Sequence, residues 1–256
     1  MPGSAGPWQG QAAPGYDPTM AGAAMTGATM TGAAMTGAAM TGAAVLQRTA
    51  LRYHGGGRFA RHYVASKLRT DPVHRTVLAM AAQHPFGIVT DVGCGRGQLG
   101  VALLEASGAS SVLGLDWAGA SLRDAARAGA GLAFTAQAQN LAADPTVPAC
   151  DTVLLIDVLY ILRQARALTL LAHAAAAARR LVLVRTLDPG LGLRSRFHVA
   201  LERLGQPIWP HAGATVDPAP VAALIHVLEQ AGFAVSVAPC WQGTPFANVL
   251  LTARRR

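Results

Sequence analysis

The segment Ile88-Val-Thr-Asp-Val-Gly-Cys-Gly-Arg-Gly-Gln-Leu-Gly100 limits the folds open to this chain more than any other stretch. A short apolar run leads straight into three alternating glycines, Gly93, Gly95 and Gly97. A run with helical spacing follows. Glycine permits positive φ in a tight turn, and it lets a ligand approach the bare backbone. A second apolar run, Ser111-Val-Leu-Gly-Leu-Asp116, ends in an acid 19 residues after Gly97. That separation places a carboxylate at the tip of the neighbouring strand, within reach of a ribose diol.

The remaining pattern supports the same layout. Strands are expected at Ile88–Val92, Ser111–Asp116, Leu132–Ala136, Thr152–Asp157 and Leu181–Arg185, and near Phe233–Ala238 and Val249–Ala253. Helices are expected at Gln98–Ala106, Ser121–Ala128, Arg166–Arg179 and Pro218–Ala231. Alternating strands and helices imply an α/β fold: a Rossmann-like, doubly wound, seven-stranded sheet covered on both faces. The last two strands have only a loop between them, so the mostly parallel sheet should close with a C-terminal antiparallel hairpin. Residues 45–84 look helical, with breaks at His54-Gly-Gly-Gly57 and Asp71-Pro72. They form an N-terminal cover. Residues 188–217 are longer than a strand-to-helix connection needs and should form a lid-like insertion.

The first 44 residues read differently. Five-residue units of the MTGAA type run from Met20 to Ala44. Glycine in every unit opposes a helix, and no unit can bury enough apolar surface to offset chain entropy. A disordered low-complexity tail is expected there, and its repeated methionines leave the translation start open.

Composition excludes several classes. Apolar residues make up 52% and charged residues 13%, which supplies a large core. Cys94, Cys150 and Cys240 are too few and too far apart for a disulfide scaffold or a zinc knuckle. No acid and histidine cluster has metal-ligand spacing, so no metal is implied. Mean hydropathy is +0.31. Even so, the longest uncharged stretch of the folded part is Ala167 to Ala178, short of the roughly 20 residues a membrane span needs. With no secretory signal pattern, the cytoplasm is the expected location. The net charge is +8, and Lys67 is the only lysine among the 21 basic residues.

Two ligands suit the glycine loop. Gly95-Arg-Gly-Gln-Leu-Gly100 is a literal GxGxxG, which suits a nicotinamide or flavin dinucleotide and an NAD(P)-dependent oxidoreductase. Against this, the glycines begin earlier, at Gly93. Asp91 ends the first strand, where it would repel a pyrophosphate and attract an ammonium group. A single lysine leaves no Tyr-x-x-x-Lys proton relay.

Asp91-Val-Gly-Cys-Gly-Arg-Gly97 resembles the first motif of class I S-adenosylmethionine-dependent methyltransferases. Leu115-Asp-Trp117 is similar to their second-strand acid and bulky neighbour, Asp151–Leu162 to their fourth-strand signature, and Ala231-Gly-Phe233 to the lead-in to their sixth strand. The resemblance spans roughly residues 75–254 and implies S-adenosyl-L-methionine as cofactor. It places the backbone of Gly93, Cys94, Gly95 and Gly97 along the methionine part, Asp91 near the amino group, Asp116 on the ribose hydroxyls and Trp117 beside the adenine. Asn140, followed by Leu141, stands where the family usually has an acid facing the adenine amine. That departure leaves open a catalytically silent module that keeps the fold for binding.

Methyl transfer from a sulfonium needs alignment and sometimes proton removal. Asp157 and Tyr160 follow the fourth strand and face the methyl group by topology. Asp157 orients the acceptor or caps the next helix. Tyr160 bonds the acceptor or packs. His198 and His211, in the insertion, are candidate bases or solvated surface histidines, and His198 has the i, i+4 spacing to pair with Glu202. The acceptor is expected to be a small hydrophobic, aromatic or carrier-bound acyl molecule, methylated on O or C. The basic, aromatic cover also suits nucleic acid, but no RNA-binding module or nucleotide-amine methylation signature is present. Arg58-Phe-Ala and Lys67-Leu-Arg-Thr-Asp-Pro-Val73 resemble a bacterial methyltransferase group associated with fatty-acid-synthase-like pigment and lipid pathways. That resemblance implies an acyl-carrier partner docked on the basic helices.

Overall fold

The computed structural model describes residues 42–205, 216–242 and 244–256. Seven strands form one sheet: β1 (Ile88–Val92), β2 (Ser111–Asp116), β3 (Phe134–Ala138), β4 (Cys150–Ile156), β5 (Ala178–Leu187), β6 (Phe233–Pro239) and β7 (Asn248–Arg255). Their order is β3-β2-β1-β4-β5-β7-β6. The first five strands are parallel, and β7 runs antiparallel to both neighbours, β5 and β6. The expected C-terminal hairpin is therefore present. Its second strand sits inside the sheet, and β6 takes the edge.

Helices cover both faces. On one side lie α1 (Gly42–Leu51), α2 (Arg58–Thr70), α3 (Pro72–Gln83), α4 (Gln98–Glu105) and α5 (Ala120–Ala128). On the other lie α6 (Gln164–Ala177) and α8 (Val221–Gln230). Helix α7 (Leu193–Gly205) follows β5. The apolar spacing explains the packing. In α6, Ala167, Leu170, Leu171, Ala174 and Ala175 recur at i, i+3, i+4, i+7 and i+8, and all are fully buried, with β4, β5 and α8 packed against the helix. Across the sheet, Val64, Leu68, Val77 and Leu103 join Val89, Leu154 and Leu183 in a second cluster. Each such leucine contributes about 2 kcal/mol by leaving water.

Several boundaries differ from expectation, among them those of β4, β5 and α6, which begin two, three and two residues earlier than the sequence suggests. The folded part begins by Gly42 rather than Val45, because α1 starts inside the last repeat unit and buries Val45 and Leu46. Strand β3 is displaced two residues from Leu132–Ala136. Its register with β2 pairs Phe134 with Val112, and the weakly apolar run gives little sign of where pairing begins. The insertion contributes α7, and residues 206–215 lie outside the described residues. No helix among the described residues is long and apolar enough to cross a membrane.

Candidate active site

The carboxyl ends of β1, β2, β4 and β5 converge on the glycine loop, the place where open α/β sheets bind ligands. Gly93, Gly95 and Gly97 all have positive φ, at 76°, 57° and 71°. Their surroundings differ. A Cβ on Gly93 would lie 2.5 Å from Val158 Cγ2, and one on Gly97 would lie 2.9 Å from Ala125 Cβ. A Cβ on Gly95 would meet nothing within 4 Å. The outer two glycines are thus required by close packing, while Gly95 presents bare backbone to open space. Gly100, the last glycine of the GxGxxG frame, lies in α4, where a Cβ would come within 2.8 Å of Val112 Cγ1. It serves helix-to-sheet packing.

Two carboxylates face this loop. Asp116 accepts from the Gly95 N–H at 2.5 Å through Oδ2 and from the Trp117 N–H at 2.6 Å through Oδ1. These bonds fix its orientation at the tip of β2 and leave lone pairs on both oxygens for further donors. Asp91 is 3% exposed on β1. Burial, then the charge of Asp116, pushes its carboxyl up to about 7. A buried acid beside another acid is a site that favours a cation. Cys94 is buried in the same turn. Burial, then Asp91 and Asp116, raises its thiol well above the ordinary range and keeps it neutral. Trp117 is 44% exposed beside the acid. Asn140, two residues past β3, accepts from the Ala142 N–H at 3.2 Å through Oδ1, and Leu141 packs into the core.

The N-terminal helices pin the loop from above. Tyr53 donates its hydroxyl to the Arg96 carbonyl at 2.7 Å. The Arg96 guanidinium pairs with Asp124 and lies over the rings of Phe59 and Tyr63, at 5.3 and 5.7 Å.

Beyond β4, Asp157 occupies a left-handed backbone position with φ of 60°. Its Oδ2 accepts from Arg185 Nη1 at 3.0 Å. It does not cap the following helix. Asp217 does so instead, accepting from the Gln164 N–H at 3.1 Å. Arg185 is 2% exposed on β5, and its Nη1 also donates to Asp71 Oδ2 at 2.8 Å. Asp71 in turn caps α3, with Oδ1 accepting from the Val73 N–H at 3.1 Å and Pro72 in the first turn. Lys67 Nζ reaches Asp71 Oδ2 at 3.3 Å. Burial raises the Asp71 carboxyl, but Arg185 and Lys67 outweigh it and hold the group at about 2. Burial lowers the Lys67 ammonium, yet Asp157, Tyr63 and Asp71 bring it out above its ordinary value. Two cations thus answer two carboxylates, which makes so much buried charge tolerable.

This quartet is the feature that sequence reading missed. The signal was present in Leu181-Val-Leu-Val-Arg185, where an arginine closes a buried strand and must find a partner. The distant Asp71 gives no local hint that it is that partner.

Tyr160 lies in a 3-10 turn (Leu159–Ile161) and is buried with Leu187 and Val216. His198 is buried in α7 rather than solvated. Its Nδ1 accepts from the Ala247 N–H at 3.2 Å, which places the neutral ring's proton on Nε2. Its ring stacks at 4.7 Å on Phe246 and lies 6.4 Å from Tyr160. His211 and the side chain of Glu202 lie outside the described residues.

The strand order bears on the choice between the two ligands. A dinucleotide-binding sheet has a parallel sixth strand, whereas here β7 inserts antiparallel between β5 and β6. The sequence agrees, since residues 89–180 match the profile of a family described as methyltransferase domain. Residues 89–180 carry a methyltransferase domain. Solved methyltransferases share its fold. Magnesium protoporphyrin IX methyltransferase from Synechocystis PCC 6803, with bound S-adenosylhomocysteine, is 23% identical at a TM-score of 0.55, covering 82% of this chain and 94% of its own. The N-methyltransferase NodS from Bradyrhizobium japonicum WM9, also with S-adenosylhomocysteine, is 14% identical at 0.56, covering 82% and 98%. The pyocyanin biosynthetic protein PhzM is 20% identical at 0.55, covering 80% and 61%. No curated protein matches the sequence.

The ligand held by the Synechocystis enzyme in a second solved structure is S-adenosyl-L-methionine. The loop fits it on physical grounds. Gly95 presents bare backbone to open space, buried Asp91 suits an ammonium, and the aligned Asp116 offers paired acceptors for a diol.

Proposed function

We propose that the protein transfers the methyl group of S-adenosyl-L-methionine directly to oxygen or carbon of a small hydrophobic, aromatic or carrier-bound acyl acceptor. The observation that carries this reading is the pair of carboxylates, buried Asp91 and backbone-aligned Asp116, on either side of the open Gly95 backbone. When bound, the cofactor supplies an activated methyl group on a sulfonium. Asp91 holds the amino group and Asp116 the ribose hydroxyls. The backbone of Gly93, Cys94, Gly95 and Gly97 lines the methionine part, Trp117 flanks the adenine, and Asn140 and Leu141 close the adenine side.

Asp157, with its charge answered by Arg185, orients the acceptor by accepting a hydrogen bond from it. Tyr160 and His198 form the wall beside it, and His198 can donate from Nε2 in its neutral form. His211 completes the set of candidate catalytic groups. A carrier-bound acceptor fits the basic N-terminal helices. The proposed low-complexity tail is residues 1–44, the last three of which open α1.

The test is incubation of the full chain with trideuteromethyl-labelled cofactor and a panel of phenolic acids and acyl-carrier thioesters, read by mass spectrometry. Label on an aromatic or acyl acceptor is expected. Cofactor binding with no label on any acceptor would favour a silent binding module.

A pH dependence follows from Asp91. Its native carboxyl titrates at about 7, above the roughly 3.9 of an unfolded aspartate, so the cofactor-free native state holds the proton longer. Its contribution to stability is therefore present at low pH and lost as pH rises from about 4 to about 7. Binding an ammonium requires the ionised form. Affinity for S-adenosylhomocysteine should fall about tenfold per unit below pH 7, and Asp91→Asn should flatten that slope. Calorimetry at pH 5.5, 6.5 and 8 checks both.

A further inference from the structure

One stripe of α2 belongs to no core. Phe59, Tyr63 and Lys67 follow one another at i, i+4 and i+8, so they share one helix face. Phe59 is 66% and Tyr63 40% exposed, which leaves two large rings uncovered. The rings stack in near-parallel fashion, with centroids 5.9 Å apart and planes 21° apart. At one end of the stripe, Arg96 of the glycine loop lies over both rings. At the other, Lys67 contacts Asp71, and the charges of Tyr63 and Asp157 act on it. The stripe therefore runs from the cofactor loop to the residue after β4. The two ends are close, because Val158 packs directly on Gly93.

The helices that carry the stripe are basic. Helices α1 to α3 contain no acid, and the only carboxylate between them, Asp71, is already taken by Arg185 and Lys67. Arg58, Arg61 and Arg69 lie on α2 itself.

We infer that Phe59, Tyr63 and Lys67 form the acceptor-binding wall, and that they select a planar aromatic acceptor bearing an anionic substituent. The rings carry the plane by stacking, and Lys67 receives the anion. This rests on the methyltransferase reading and adds the class of acceptor and the residues that recognise it.

The test uses the full chain saturated with S-adenosylhomocysteine, titrated with 1-hydroxy-2-naphthoate and followed by the probe's own fluorescence anisotropy. Its uncharged carboxamide is the control. The naphthoate should bind. Phe59→Ala and Tyr63→Ala should each weaken both probes about fivefold. Lys67→Gln should weaken the naphthoate about tenfold, leave the carboxamide within twofold, and be rescued by Lys67→Arg. S-adenosylhomocysteine affinity should stay within about threefold in Lys67→Gln, and the two ring variants, whose rings pack on Arg96 of the cofactor loop, are titrated with the probes only at S-adenosylhomocysteine concentrations shown to saturate them.

Absence of naphthoate binding while S-adenosylhomocysteine binds would overturn the inference and leave the methyltransferase reading standing. So would a Lys67→Gln effect equal on both probes, or an unchanged affinity in Phe59→Ala. A dimer in light scattering that Phe59→Ala dissociates would assign the stripe to self-association and also overturn it. Failure of S-adenosylhomocysteine itself to bind would overturn both.

Discussion

Asp116→Ala should lose at least about 100-fold in affinity for S-adenosylhomocysteine. Two hydrogen bonds from ribose hydroxyls to a charged acceptor contribute on the order of 3 kcal/mol or more together. The alanine also removes the acceptor for the Gly95 N–H, so the loop loses one of the contacts that tie it to the end of β2, while the Gly93 and Cys94 N–H bonds to the Leu115 carbonyl remain. Asp116→Asn should fall between, because an amide oxygen still accepts but carries no charge. The fold should survive both changes. Asp116 is partly exposed at a strand tip, and the leucines that hold β2 in the core, such as Leu115, are untouched. Calorimetric titration of both variants, with thermal melts alongside, separates loss of binding from loss of structure. Binding retained in Asp116→Ala would remove the ribose role.

Arg185→Met should have the largest effect on stability. It leaves Asp71, itself buried, without its strongest partner and takes from Asp157 the guanidinium that answers it. Breaking a buried ion pair from one side costs about 3–5 kcal/mol, which lowers the melting temperature by roughly 10 °C in a chain of this size. The Asp71 contribution to the pH dependence should also change sign, read as the difference between variant and wild type because the Asp91 contribution is common to both. In the wild-type protein the Asp71 carboxyl is held at about 2, below its unfolded value of roughly 3.9. It therefore contributes stability that is present above pH 4 and lost as pH falls toward 2. Without Arg185, burial dominates Asp71 and its ionised form is the costly one. The variant should recover part of its stability on acidification from pH 7 to pH 5, where the wild-type protein gains nothing from this group. Chemical denaturation at the two pH values checks this. Equal losses at both would show that the guanidinium acts through packing alone.

The two variants probe features of different legibility in the sequence. The first half of the sheet could be read almost residue by residue. The Ile88–Val92 and Ser111–Asp116 strands match observation, since each apolar run ends at a residue that cannot continue it: a glycine needing positive φ, or an acid at a tip. The α2 to α3 break at Asp71-Pro72 was equally clear, because proline forces its predecessor out of the helical region. Strand β3 slipped by two residues because Phe134-Thr-Ala-Gln-Ala138 has little apolar alternation and is only half covered.

What could not be read depends on contacts across long stretches of chain. Arg185 and Asp71 are 114 residues apart, and only the folded sheet and the α3 cap bring them together. The same holds for His198, whose burial against Phe246 and hydrogen bond from Ala247 no local pattern announces. Asp157 was read for its place after β4. Its pairing with Arg185 could not be foreseen, and through Arg185 and Asp71 that pairing ties the residue after β4 to the N-terminal cover.

The central claim is that the glycine loop and its two acids hold S-adenosyl-L-methionine rather than a dinucleotide. Side-by-side calorimetric titration of the wild-type chain with S-adenosylhomocysteine and with NADH tests it most directly. The account predicts saturable, roughly micromolar binding of the first and none of the second, since Asp91 repels a pyrophosphate where it welcomes an ammonium. Binding of NADH with none of S-adenosylhomocysteine would contradict it.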